Sequence, residues 1–208
     1  MSTEAAVVRS AKRRSELVQS AYELFVSKGY RNVSVADIVA RVGVSHGTFY
    51  NYFDNKRDVL DAVIDHYFVL IQERILGLDN AENPRTLDEF CAVFSRMIDR
   101  CYELVESEPG LVNFILLEAA SIDSDVIDRT VGNLRIYGDA AKERIGNGIS
   151  QGFLDPEVDP RIAGEVLLSV ILSALLSAMR GGSDGLTRQR VNTELTAFVR
   201  AALAATIT

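Results

Sequence analysis

Apolar side chains recur with a helical period along almost the whole chain, and no convincing alternation of period two appears. Leu17, Val18, Ala21, Leu24 and Phe25 fall at i, i+1, i+4, i+7 and i+8, which is one face of a first helix. Lys28 and Gly29 close it, because a glycine just past a basic last turn is a C-terminal stop. Ser34, with Asp37 three residues on, announces a second helix as a capping-box variant, its apolar face being Val35, Ile38, Val39 and Val42. Gly43 breaks that helix. Ser45 then caps a third, over 45–53, on which Phe49 and Phe53 mark the inward side. Asp54 or Asn55 caps a fourth, running to about residue 76.

Beyond a loop at 78–85 the pattern sharpens. Leu87, Phe90, Cys91, Phe94, Met97, Ile98, Cys101, Tyr102 and Val105 predict one face of a long helix, which Pro109 and Gly110 end. The stretch 111–120 is apolar almost all round, as in a helix buried on several sides. A helix over 124–151 carries Ile127, Val131, Leu134, Ala141, Ile145 and Ile149 on one side. After a turn at 155–160 come two final helices, about 161–181 and 187–206. The fold class is therefore all-α with about nine helices, the first ones short. The expected division is a flexible N-terminal arm over 1–9, a three-helix domain over 10–57 and a larger helical domain over 58–208.

Composition changes this picture in one respect. The 208 residues carry a net charge of −7, which by itself argues against nucleic acid. The charge is uneven, however: residues 1–60 hold nine Lys/Arg against six Asp/Glu, net +3, and the remainder is net −10. Cys91 and Cys101 show neither metal nor redox spacing, and on one helix they would stand about 15 Å apart, too far to bridge. The polar N-terminus has no apolar leader region, and the charge-free run 166–179 is short of the roughly 18–20 residues a membrane span needs. A cytoplasmic protein with no membrane partner is expected. Only two histidines occur, and no phosphate-binding loop, nucleophile elbow or zinc-protease motif is present, so neither enzymatic activity nor a cofactor or metal is expected.

Two short helices joined by a turn at Gly43, the second capped by Ser45, describe a helix-turn-helix. Gly43 can take the positive φ that such a turn requires. On a wheel of the third helix Gly47, Thr48 and Asn51 point away from Phe49 and Phe53, Tyr50 and Tyr52 flank them, and His46 falls nearer the apolar edge. Lys12, Arg13 and Arg14 read equally as a basic arm or as a solvated helix end.

From Ala21, Tyr22, Glu23, Leu24 and Phe25, through Gly29 and Tyr30, Ser34 to Val39 and Gly43 to Tyr50, to Tyr52, Phe53 and Lys56, the chain resembles the DNA-binding domain of the TetR family of transcriptional regulators. The resemblance covers about residues 10–60. It implies that Ser45, His46, Gly47, Thr48, Tyr50 and Tyr52 belong to the recognition helix, with Asn51 at a variable position, and that Ser34 and Lys56 meet phosphates. Phosphate contacts position such a protein and base contacts give it specificity; His46, Gly47, Thr48 and Asn51 are the candidates for base edges.

The resemblance further implies a homodimer built on the last two long helices, a palindromic operator in double-stranded DNA and a small, largely apolar effector. The near-uniformly apolar 166–179 segment, with small residues at Ser169, Ser173 and Ser177, reads as a helix buried on both sides, and Leu168, Ile171, Leu172, Leu175, Leu195 and Phe198 are the candidate interface. Phe94, Met97, Cys101, Phe114, Leu117, Glu118 and Tyr137 are the candidate effector pocket, with Asn113 and Arg135 as further polar anchors. The leading expectation is a repressor released by its effector; an architectural or protein-controlled DNA-binding module with a solid core is the alternative.

Overall fold

The computed structural model describes residues 2–77, 83–181 and 185–204. Among these residues the regular structure is helical throughout: α1 (Ser2–Lys28), α2 (Val35–Val42), α3 (His46–Tyr50), α4 (Lys56–Leu76), α5 (Leu87–Ser107), α6 (Pro109–Asn113), α7 (Ser124–Ser150), α8 (Pro160–Met179) and α9 (Arg188–Leu203). The expected loop at 78–85 lies largely outside the described residues. Two compact units form: Met1–Val69 with Gly110–Thr130, and Leu70–Pro109 with Val131–Thr208.

In the first unit α1 packs on α2, and α2 on α3. Leu17, Ala21, Phe25, Ile38, Phe49 and Phe53 are buried, as their spacing predicts. This unit is larger than a 10–57 domain because the underside of α1 needs a cover. Tyr22 lies 3.9 Å, centroid to centroid, from Tyr67 of α4, and Phe25 stacks at 6.2 Å on Phe114. Tyr67 also donates its hydroxyl to Gln19 at 2.7 Å. Residues 2–9, expected as an arm, form the first turns of α1.

The 111–120 segment is not one α-helix. After α6 comes a π-helical turn (Phe114–Glu118) and then a 3₁₀ turn (Ala119–Ser121). Rewinding this way buries Leu111, Val112, Phe114, Ile115 and Ala119 but turns Leu117 outward, half exposed.

The face of α7 also differs from expectation. Val126, Thr130 and Tyr137 are buried, whereas Ile127 and Val131 are exposed. Ion pairs near its start set this rotation: Arg129 pairs with Asp65 at 2.8 Å, and Arg57 at the start of α4 holds Asp123. Asp123 in turn accepts the Val126 N–H at 3.0 Å and caps α7.

In the second unit α5 packs against α8 and α9, burying Phe90, Phe94, Ile98, Cys101, Tyr102 and Leu104. Arg100 of α5 donates to the carbonyls of Ile75 and Leu76, satisfying the C-terminal end of α4. Asp159 caps α8 with Pro160 in its first turn, and Thr187 caps α9.

The six candidate interface residues do not share one surface. Ile171 and Leu175 are buried within this unit, and Leu168 faces a cavity inside it. The outward face of α8 carries Ile162, Val166, Ser169, Ser173 and Leu176; on α9, Phe198 is 56% exposed. The serine series splits because steps of four drift around a helix of 3.6 residues per turn. Ser177 is buried and pairs with the Tyr102 hydroxyl at 3.1 Å, while Ser169 and Ser173 remain exposed. α8 is twenty residues long, and its most apolar eighteen-residue stretch reaches a mean hydropathy of 2.1, so by length and composition it could cross a membrane, a length that the charge-free run understates. Its buried side, against α5 and α9, is what a core helix presents.

Candidate nucleic-acid interface and effector cavity

The geometry of the helix pair follows from its caps. Ser34 Oγ accepts the Asp37 N–H at 3.2 Å, and Asp37 accepts the Ser34 N–H at 2.8 Å, a reciprocal capping box. The Ser34 hydroxyl also donates to the Asp37 carboxylate, and this bond, with the one from the Ser34 N–H, holds the Asp37 carboxyl below the usual carboxylate range. Gly43 ends α2 at φ 75°, in the left-handed region, and its N–H bonds back to Val39. Ser45 Oγ accepts the Thr48 N–H at 3.2 Å and lies 3.0 Å from Thr48 Oγ1.

With Phe49 and Phe53 locked inward, the outer surface of α3 is set. His46, Gly47, Tyr50 and Asn51 are exposed, and Thr48 and Tyr52 are half-buried. His46 therefore stands further out than its wheel angle suggests, because it occupies the first turn, before any following turn can cover it. Tyr50 is 55% exposed and meets Phe49 edge to face at 5.4 Å, so its ring is braced while its hydroxyl projects. A Cβ on Gly47 would meet nothing closer than Ser45 Oγ at 3.8 Å, so packing does not demand glycine there.

Lys56 is not a free cation. Its ammonium donates to the carbonyls of Tyr30 at 3.0 Å and Val33 at 2.8 Å and sits 4.2 Å from the centre of the Tyr30 ring. Burial lowers its pKa. Sequence reasoning missed this clamp, although one signal was present. A cation in the first turn of a helix opposes the helix dipole and needs carbonyl partners elsewhere. The Lys12, Arg13 and Arg14 trio divides in the same way. Arg14 covers Phe53 at 5.0 Å and Arg13 pairs with Glu16 at 2.7 Å, and both lie within α1.

The pocket candidates scatter. Phe94, Met97 and Tyr137 line a cavity in the second unit of about 40 Å³, together with Leu76, Leu168 and Ile171. Cys101 is fully buried, its thiol pushed up to about 12 by burial, and is not on the cavity wall. Phe114 belongs to the aromatic core of the first unit, Leu117 faces outward, and Glu118 accepts from Asn113 at 2.6 Å near the π-helical turn. All three belong to the first unit, whereas the cavity lies in the second. Arg135 is exposed.

Comparison with known proteins bears on the same region. Residues 17–63 match the family described as bacterial regulatory proteins, tetR family. The transposon Tn10 TetC protein of Escherichia coli is 41% identical over 83 residues, 40% of this chain and 41% of that protein. The chain spans about half or less of the length of the first curated relatives it matches, 39% and 51%. A TetR transcriptional regulator from Chloroflexus aurantiacus shares the fold with a TM-score of 0.74 at 19% identity, over 95% of this chain and 99% of that one. The regulator FadR from Bacillus subtilis, solved in complex with stearoyl-CoA, superposes with a TM-score of 0.69 at 21% identity, over 88% and 97%.

Proposed function

We propose, from the match of residues 17–63 to the family of bacterial regulatory proteins, tetR family, that this chain is a sequence-specific transcriptional regulator acting in the cytoplasm as a homodimeric repressor. The observation that carries the reading is the capped α2–α3 pair turned at Gly43. It holds His46, Gly47, Thr48, Tyr50 and Asn51 on one outward surface above the Phe49 and Phe53 anchor. In a major groove His46, Gly47, Thr48 and Asn51 would meet base edges, and Ser34, Ser45, Tyr50 and Tyr52 would meet phosphates. Lys56 acts chiefly by positioning the 30–33 turn, with one ammonium hydrogen left for a phosphate.

A two-fold dimer would set two recognition helices about 34–36 Å apart and would read an inverted repeat. The outward apolar face of α8 and Phe198 supply a surface for the second copy. The cavity beside Phe94, Met97 and Tyr137 supports effector control over a purely architectural role. At about 40 Å³ it is far below the roughly 300–1,000 Å³ of an ordinary ligand site, so an effector has to open it. Ligand binding to the opened state alone supplies the differential affinity that can release DNA; equal affinity for both states would shift nothing. Stearoyl-CoA, bound by FadR, is one precedent for an effector with a long apolar part.

Selection of binding sites from a random duplex pool with the purified full chain tests this reading. Enrichment of an inverted repeat with half-site centres one helical turn apart, or a multiple of it, is expected. A pool with no enriched sequence would overturn it.

A further inference from the structure

Three side-chain polar atoms are buried without a hydrogen-bond partner among the described residues: Thr130 Oγ1, Asn133 Nδ2 and the Tyr137 hydroxyl. All three lie on the inward face of α7 at successive turns, 130, 133 and 137. Buried polar groups are nearly always satisfied, so three orphans in sequence on one helix face require an explanation that the protein itself does not supply. The last of them, Tyr137, is 8% exposed and lines the cavity. Burial pushes its phenol well above the ordinary tyrosine range, so the group stays a neutral hydroxyl able to donate.

The rest of the wall is apolar: Leu76, Phe94, Met97, Leu168 and Ile171 contribute no competing donor from their side chains. The single cation on the wall, Arg144, already has an interaction of its own within the protein. An anion would have to share that arginine with its existing partner and would otherwise be desolvated by an apolar wall. The lining suits an uncharged apolar body with one oxygen to set against Tyr137. Met97, half-buried and unbranched, is the wall residue best able to move aside as the cavity grows.

We propose that the Tyr137 hydroxyl is the specificity-determining group of this cavity, and that the ligand is a small neutral molecule carrying one hydrogen-bonding oxygen, such as a ketone or alcohol, on an apolar skeleton. This rests on the effector reading above but makes a narrower claim. It separates this site from one built for an anionic thioester or a carboxylate.

Hexan-2-one, hexan-1-ol, hexane and hexanoate, titrated into the full chain by calorimetry, test the assignment. The ketone and alcohol are expected to bind about tenfold more tightly than hexane, the scale of one hydrogen bond, and hexanoate more weakly than either. In Tyr137→Phe the preference for oxygen should vanish, with hexane affinity unchanged. That variant should also melt no lower than the parent, because it removes an unsatisfied hydroxyl; a clear loss of stability would reveal a structural partner and overturn the proposal. Retention of the oxygen preference in the variant, tightest binding of hexanoate or binding of none of the probes would overturn it equally. Release of the selected DNA, followed in the same titrations, separates the two claims. Tyr137-dependent binding without release leaves the ligand assignment standing and removes the effector role. Release with no oxygen preference does the reverse.

Discussion

The ammonium of Lys56 lies 4.2 Å from the centre of the Tyr30 ring and donates to the same residue's carbonyl at 3.0 Å. The first residue of α4 thus closes the turn between α1 and α2, and with it the position of Ser34 and the start of α2. Replacement by methionine keeps the stem and removes the charge. Lys56→Met is expected to cost about 2 kcal/mol in urea unfolding, the scale of a charge-assisted hydrogen-bond pair at a partly exposed site. DNA binding should weaken mainly through the displaced turn. The salt slope should then fall by less than the roughly 0.9 of a full phosphate contact. A full unit lost from the slope with unchanged stability would make Lys56 a direct phosphate ligand instead.

Gly47 separates packing from recognition. No neighbour stands in the way of a Cβ there, and alanine is the better helix former by up to about 1 kcal/mol. Gly47→Ala is therefore expected to be at least as stable as the parent yet to bind the selected operator at least tenfold more weakly, because the methyl holds α3 away from the groove. Filter binding and thermal melting on one preparation decide it; undiminished binding would show that α3 does not approach DNA closely at this residue.

Asp37 gives a pH test with a definite sign. Its folded pKa is lowered by the Ser34 and backbone hydrogen bonds, so its contribution is present above the unfolded carboxylate value and is lost as pH falls through the folded one. The stability difference between the parent and Asp37→Asn should be constant from neutral pH down to about 5 and should shrink below about 4. Chemical unfolding at a series of pH values measures this. A difference that grows on acidification would contradict the capping box.

The outward face of α8 leads to a prediction about assembly. A cation placed there, in Leu176→Arg, leaves the inward Ile171 and Leu175 untouched and should keep the monomer folded. It is expected to convert a dimer to a monomer by light scattering and to abolish tight binding to the inverted repeat while sparing binding to a half-site. Leu175→Arg should unfold the second unit instead, since it buries an unpaired charge. Equal behaviour of the two variants would remove α8 as the interface.

The contrast between these two leucines shows how far the sequence could be read. The helices, their caps at Ser34, Ser45 and Asn55 and the break at Gly43 were legible, because each rests on residues within one turn of one another. The inward anchors Phe49 and Phe53 were legible for the same reason. Facing was harder wherever a helix is apolar on several sides. On α8 period alone cannot separate Leu175 from Leu176, and on α7 the choice between Ile127 and Val126 is made by Arg129 and Asp123 reaching partners more than sixty residues away. The Lys56 clamp likewise depends on contacts across 23 and 26 residues. The pocket was the least legible, because its wall gathers Phe94, Met97, Tyr137 and Ile171 from three helices far apart in sequence.

The path of the chain between its two units has a consequence for heredity. It crosses from one to the other near residues 69, 109 and 130, so no single cut separates the unit that holds the α2–α3 pair from the remainder. A fragment ending at residue 57 would lose Tyr67 and Phe114, the rings that cover Tyr22 and Phe25. A simple gene fusion that joins a foreign sensor directly after α3 would therefore inherit an uncovered aromatic surface. Recombination among such regulators should succeed when the exchanged block carries the 110–130 segment with it. New pairings of operator and signal should then arise more readily by substitution on α3 or on the cavity wall than by shuffling whole halves.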